Sequence, residues 1–201
     1  MNSSRPSFAT TEEMVAALSP SYPVYCLRPK SFERAAQRFV EHFPGRVLYA
    51  VKCNPHSAVL EMLYRAGIRH FDTASLPEIA LVREQYSDAT LYFMHPIKSR
   101  AVIKNAYTVY GVHHYVIDHE TELHKVLDET GGDGVTIMVR VATPSESSTY
   151  DLSAKFGADP ATARNLLSEA NAAGCKVGLA FHVGSQCVDP NAFRDAIAVV
   201  K

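Results

Sequence analysis

The sequence predicts an α/β fold made of repeated βα units around a parallel sheet, on three observations. Short β-rich runs alternate with helical patterns along most of the chain. The first five runs, centred near residues 50, 72, 93, 116 and 138, recur about every 22 residues. Several of these apolar runs close on a polar residue. Alternation with short connections implies parallel strands joined by helical crossovers. The period suits a (β/α) barrel, which needs about 250 residues for eight units. A doubly wound sheet has the same local signature, so periodicity alone leaves both architectures open.

Each element has its own signal. Residues 1–22 read as an N-terminal arm carrying a short helix at Thr11–Leu18. Pro23–Leu27 is strand-like, and Ser31–His42 reads as a helix capped by Ser31. The six β-rich runs are Val47–Lys52, His70–Thr73, Leu91–His95, His114–Asp118, Val135–Val141 and Val177–Val183. Between them, Ala58–Ala66, Leu76–Glu84, Lys98–Val109, Glu120–Glu129 and Pro160–Ala173 place apolar residues three and four apart. The longer last step falls on Thr143–Lys155, a Ser/Thr-rich stretch with Pro144 that reads as an exposed, mobile loop. The chain stops at Ala196–Lys201, inside an apparent helix start, with six βα units rather than eight. A six-unit barrel leaves two open sheet edges, so we expect the N-terminal part of a longer protein.

Composition narrows the function. Of 201 residues, 47% are hydrophobic and 20% charged, with 20 basic against 21 acidic, an ordinary globular balance. That charge balance argues against nucleic acid or an anionic membrane as the main partner. No apolar run approaches the roughly 20 residues of a membrane span, and the polar N-terminus is not a signal peptide. Cys26, Cys53, Cys175 and Cys187 form no CxxC pair and read as buried small hydrophobes in a reducing compartment, so a cytoplasmic location is expected. His113, His114, His119 and His124 read as surface residues, and no metal site is indicated.

Four polar residues stand at corresponding places. Alternation puts Leu48, Ala50 and Lys52 on one strand face, with Lys52 at the C-terminal end. In a barrel that position lies at the mouth where active sites are built, and desolvation there favours a neutral, nucleophilic amine. A lysine at a strand end with its amine in water is the plainer alternative. Asp72, Arg140 and His182 close their runs in the same way, so an amine, a carboxylate, a guanidinium and an imidazole would converge on one mouth. Gly184-Ser185 follows His182 directly and offers free N–H groups and a hydroxyl for a phosphate, or is a plain turn. There is no GxGxxG, Walker lysine, HExxH or GxSxG.

Five ordered motifs then resemble one family. Tyr49-Ala50-Val51-Lys52-Cys53-Asn54-Pro55 is similar to the cofactor-lysine motif of the ornithine/diaminopimelate/arginine decarboxylases, the fold-type III enzymes that use pyridoxal 5′-phosphate. Phe71–Ser75 with Glu78, then Val139-Arg140-Val141, Lys155-Phe156-Gly157 and His182-Val183-Gly184-Ser185 follow in the family's order. The resemblance runs from about Pro23 to the end. It implies an alanine-racemase-like TIM barrel over residues 23–201, here incomplete, with the family's C-terminal β domain absent.

By the same resemblance Lys52 would form the Schiff base, His182 would stack on the pyridine ring and Ser185 would bind the phosphate. Asp72 and Glu78 would lie near the Schiff base, Arg140 near the ring substituents and Lys155 at a homodimer contact of the full-length form. The implied reaction is decarboxylation of a basic amino acid. Phe71–Ser75 and His182–Cys187 look most like ornithine decarboxylases, which points to putrescine and polyamine synthesis. Diaminopimelate, lysine or arginine decarboxylase, or an inactive regulator of the same fold, are the alternatives. An alanine racemase ranks low, because its lysine motif continues differently from Cys53-Asn54-Pro55-His56.

Overall fold

A computed structural model describes residues 6–143 and 153–200. The elements run α1 (Thr11–Leu18), α2 (Pro29–His42), β1 (Leu48–Ala50), α3 (Ser57–Arg65), β2 (His70–Thr73), α4 (Leu76–Gln85), β3 (Thr90–Phe93), α5 (Arg100–Thr108), β4 (His114–Ile117), α6 (Glu120–Thr130), β5 (Thr136–Arg140), α7 (Pro160–Ala172), β6 (Lys176–Ala180) and α8 (Asn191–Val200). The six strands form one sheet in the order β1-β2-β3-β4-β5-β6, every pair parallel. Sequential order without reversal is the barrel pattern; a doubly wound sheet reverses its order at a switch point.

Alternation sorts the strand residues onto two faces. Phe71, Leu91, Phe93, Tyr115, Ile117, Ile137 and Val139 point outward and are fully or almost fully buried. They pack with Leu60 of α3, Ile79 of α4, Ile103 of α5, Leu123 of α6 and Leu166 of α7 in one core. The inner face carries Ala50, Asp72, Tyr92, His114, Thr136 and Lys176, which lie level across the sheet in the strand register. Arg140 stands four residues beyond Thr136 on β5, beside Ala180 of β6. This stagger is what tilted barrel strands require.

Helix termini follow the local chemistry. Ser75 accepts from the Glu78 amide, and the Glu78 carboxylate reaches back to the Ala74 amide at 2.8 Å, a capping-box arrangement. Asp159 accepts from the Ala161 and Thr162 amides at 2.9 and 3.0 Å, with Pro160 at the first helical position of α7.

Several expectations are corrected. Pro23–Leu27 is not a strand, because nothing pairs with it in the sheet. Helix α2 starts at Pro29 rather than Ser31, since proline is preorganised for the first turn; Ser31 lies inside it and Arg28 precedes it without a side-chain cap. The last helix begins at Asn191, five residues before the apolar run that signalled it. The strands are shorter than the hydrophobic runs: β1 stops at Ala50, β3 at Phe93, β5 at Arg140 and β6 at Ala180. Cys26 and Cys53 are exposed and Cys187 is half-buried, leaving Cys175 as the buried one. Of the histidines expected at the surface, His114 is half-buried and stacks on Tyr92 at 4.4 Å; its Nδ1 has no hydrogen-bond partner among the described residues. The expected mobile loop Thr143–Lys155 falls mostly outside the described residues. No described helix is long and apolar enough to cross a membrane.

Candidate functional site

The C-terminal ends of the strands collect the chemistry. Lys52 does not continue β1, as its sequence pattern suggests. It sits in a 3-10 turn, Val51–Cys53, immediately after the strand. Val51 is fully buried against the outer core and anchors that turn, while Lys52 projects exposed. The structure thus places Lys52 as the plainer sequence reading did, exposed beyond the strand end. Below it, the Tyr49 hydroxyl donates to the Asn54 carbonyl at 3.3 Å and closes the turn.

Asp72 lies on β2 beside Ala50, on the inner face. Burial raises the proton affinity of its carboxyl, the Lys52 charge pulls it back down, and Glu78 raises it again. His182 follows β6, and its carbonyl accepts from the Thr143 hydroxyl at 3.2 Å. The Gly184 amide donates to its Nδ1 at 2.9 Å, so in the neutral ring the proton sits on Nε2. Desolvation lowers the pKa of His182, and the positive charges of Arg140 and Lys52 lower it further. Gly184 takes φ +91, which lets the chain turn sharply and bring the His182 ring back onto its amide. Ser185 follows, half-buried.

Arg140, at the end of β5, is half-buried; desolvation lowers its pKa while Asp118 opposes the change. Its guanidinium lies 5.3 Å from the centre of the Phe156 ring. The Phe156-Gly157-Ala158 segment runs beside the β5 end. Ala158 donates to the Arg140 carbonyl at 2.8 Å, and its own carbonyl accepts from Ala142 at 2.9 Å. The Gly157 amide donates to the Asp118 carboxylate at 2.9 Å. Lys155, exposed, borders a pocket of about 350 Å³ with Asp118, Glu122, Lys125 and Phe156.

Lys52 and His182 follow β1 and β6, the two edges of the sheet. Yet the Lys52 charge acts on His182 as well as on Asp72, and Arg140 acts on His182. All four residues therefore lie at the C-terminal ends of their strands, Asp72 and Arg140 on the strands and Lys52 and His182 in the loops beyond the two edges, near enough for these charges to act on one another. Glu78 accepts from the Ala74 amide at the start of α4, and its charge raises the proton affinity of Asp72.

Sequence reasoning missed one pair. Lys98, in the β3–α5 loop, and Glu122, in the first turn of α6, form a buried ion pair at 3.0 Å with side chains 0% and 5% exposed. Burial lowers the Lys98 amine to about 8 against the pull of Glu122. Neither residue has a local sequence signal. The hint available was a lysine before one helix and a glutamate in the first turn of the next, at one end of a parallel sheet.

An amine, an imidazole, a guanidinium and a glycine-serine turn suit an aldehyde-bearing aromatic phosphate. The donor set is compatible with a pyridoxal phosphate-binding (β/α) barrel domain, and comparison with known proteins identifies the chain as one. The family model for the pyridoxal-binding domain of pyridoxal-dependent decarboxylases matches residues 29–201, and this chain belongs to that family. It is 31% identical over 200 residues to the lysine/ornithine decarboxylase of Selenomonas ruminantium, covering 97% of this chain and 50% of that one. It is 36% identical over 164 residues to antizyme inhibitor 2 of Xenopus laevis, covering 80% and 35%. The arginine decarboxylase of Paramecium bursaria Chlorella virus, solved with agmatine, superposes with a TM-score of 0.85 at 28% identity, over 94% of this chain and 51% of that one. The chain spans about half or less of the length of these curated relatives.

Proposed function

We propose that the intact protein decarboxylates a basic amino acid, ornithine foremost, with pyridoxal 5′-phosphate held at Lys52. What supports this most is the match to the pyridoxal-binding domain over residues 29–201, with Lys52, Asp72, Arg140 and His182 all at the C-terminal ends of their strands. When bound, the cofactor supplies an aldehyde for amines and a ring that takes up the electron pair left as carbon dioxide departs.

The chain's own residues do the rest. Lys52 presents its amine at the rim of β1 and ties the cofactor to the barrel. His182 holds a flat, neutral ring by the Gly184 contact, suited to stacking. Gly184 and Ser185 offer an N–H and a hydroxyl to the phosphate, and Arg140 offers cationic donors on the ring side. Asp72 and Glu78 place carboxylates beside Lys52. Asp72, whose proton affinity burial raises, is the group placed to hold or move a proton at the amine. Lys155 takes part in a dimer contact of the intact protein. The ornithine preference is supported by Phe71–Ser75 and His182–Cys187, and the lysine/ornithine relative fits it.

Carbon dioxide release by the intact protein is measured with ornithine, lysine, arginine and diaminopimelate. Ornithine should give the highest kcat/KM, and Lys52→Ala should lower it about a thousandfold or more. The likeness to antizyme inhibitor 2 favours a second reading, a regulator of this fold. A protein that holds cofactor at Lys52 yet releases no carbon dioxide from any of the four would support that reading and refute the first.

A further inference from the structure

The buried Lys98–Glu122 pair lies outside the set that would hold the cofactor. Lys98 sits in the β3–α5 loop, where its ammonium donates to the carbonyls of His95 at 3.0 Å, Pro96 at 3.1 Å and Val116 of β4 at 2.7 Å. Its backbone amide donates to Glu122 Oε1 at 2.9 Å, and its carbonyl accepts from Lys125 at 2.6 Å. Glu122 lies in the first turn of α6. The pair therefore fixes two successive βα loops against each other. Stability alone is a poor reason for it, because replacing a buried ion pair with apolar side chains is often neutral or favourable.

What the two loops carry gives a better reason. His95, three residues before Lys98, sets its ring edge-on to Phe156 at 5.8 Å. Asp118, four residues before Glu122, accepts from the Gly157 amide. Phe156 in turn faces the Arg140 guanidinium. Both loops thus grip one short segment, and that segment bears on Arg140.

We propose that Lys98 and Glu122 are positioning residues: they set the β3–α5 and β4–α6 loops so that His95 and Asp118 hold Phe156-Gly157 across Arg140. The consequence for cofactor affinity rests on the reading of Arg140 given above, whereas the consequence for the segment does not.

The test uses the intact protein with the double variant Lys98→Met/Glu122→Leu, which removes both charges of the pair and leaves the Lys125 ammonium its bond to the carbonyl of residue 98, and with Asp118→Ala. Amide exchange at Gly157 should quicken tenfold or more in either, with the Ile79 amide, which donates to Ser75 inside α4, unchanged. Asp118→Ala added to the double variant should change Gly157 by less than about twofold further, since both act through one contact. Gly157 exchange within twofold of wild type in the folded double variant, or fully multiplying effects, would overturn the proposal. If the double variant does not fold, Glu122→Gln, which keeps an acceptor for the Lys98 amide, is read in the same way. The dissociation constant for pyridoxal phosphate, measured by absorbance, should rise about tenfold in the double variant. If Gly157 responds while wild type takes up no cofactor, the positioning role stands and the functional reading fails.

Discussion

Replacing Gly157 by alanine tests how closely the segment beside β5 is built. Gly157 has φ +109, and a Cβ there would lie 2.6 Å from the Ala142 nitrogen, 2.7 Å from its Cα and 2.9 Å from the Val141 carbonyl carbon. All three are backbone atoms, so no side chain can swing aside. Restoring ordinary contact at 3.4 Å means moving the segment by about 0.8 Å. That movement breaks the Ala158-to-Arg140 and Ala142-to-Ala158 hydrogen bonds, at about 1 kcal/mol each. The dihedral itself costs an alanine about 1–3 kcal/mol. Gly67 is the control: its φ is +105, with nothing within 4 Å of its would-be Cβ. Gly67→Ala should therefore carry the dihedral cost alone. Gly157→Ala should cost about 3–5 kcal/mol and exceed the control by about 2. Equilibrium urea unfolding of both variants measures the difference. Equal destabilisation would refute the close approach of residues 156–158 to the β5 end, and with it the link from that segment to Arg140.

Two further outcomes follow from the structure. Burial lowers the Lys98 amine from 10.5 to about 8 in the fold, with Lys125 lowering it further and Glu122 and Asp118 opposing the change. Between those values the unfolded chain binds the extra proton, so stability should rise with pH. Relative to Lys98→Met/Glu122→Leu, wild type should gain up to about 1.4 kcal/mol per pH unit between pH 8 and 10, read from urea midpoints; a flat difference would contradict the burial of this amine. Asp159→Ala removes the acceptor of two α7 amides and should lower stability by about 1 kcal/mol in the same assay, with Asp159→Asn retaining most of it.

The six units and most helices were legible because period and alternation report directly on burial, whereas the sequential sheet order was not, since the same period suits a doubly wound sheet and only the family resemblance pointed to a barrel. Strand ends were not. Val51 continues the apolar run past Ala50 because the turn that follows β1 also needs a buried anchor, so Lys52 looked like a strand residue while standing in the turn. Val183 extended the β6 run for the same reason: it is buried in the loop beyond the strand. The polar residues Asp72, Arg140 and His182 do stand at or just beyond strand C-terminal ends, as their place at the close of each apolar run implied. Cys26 and Cys53 misled because a small apolar residue in a loop has no periodic context to reveal its exposure. The Lys98–Glu122 pair stayed hidden because ion pairing across 24 residues leaves no local pattern.

The account turns on Lys52, and the most direct measurement is borohydride reduction of the protein after incubation with pyridoxal phosphate, followed by peptide mapping. A pyridoxyl group on Lys52, absent in Lys52→Ala, is the predicted result. Labelling that survives Lys52→Ala, or that falls on other lysines while Lys52 stays free, would contradict the assignment of this site.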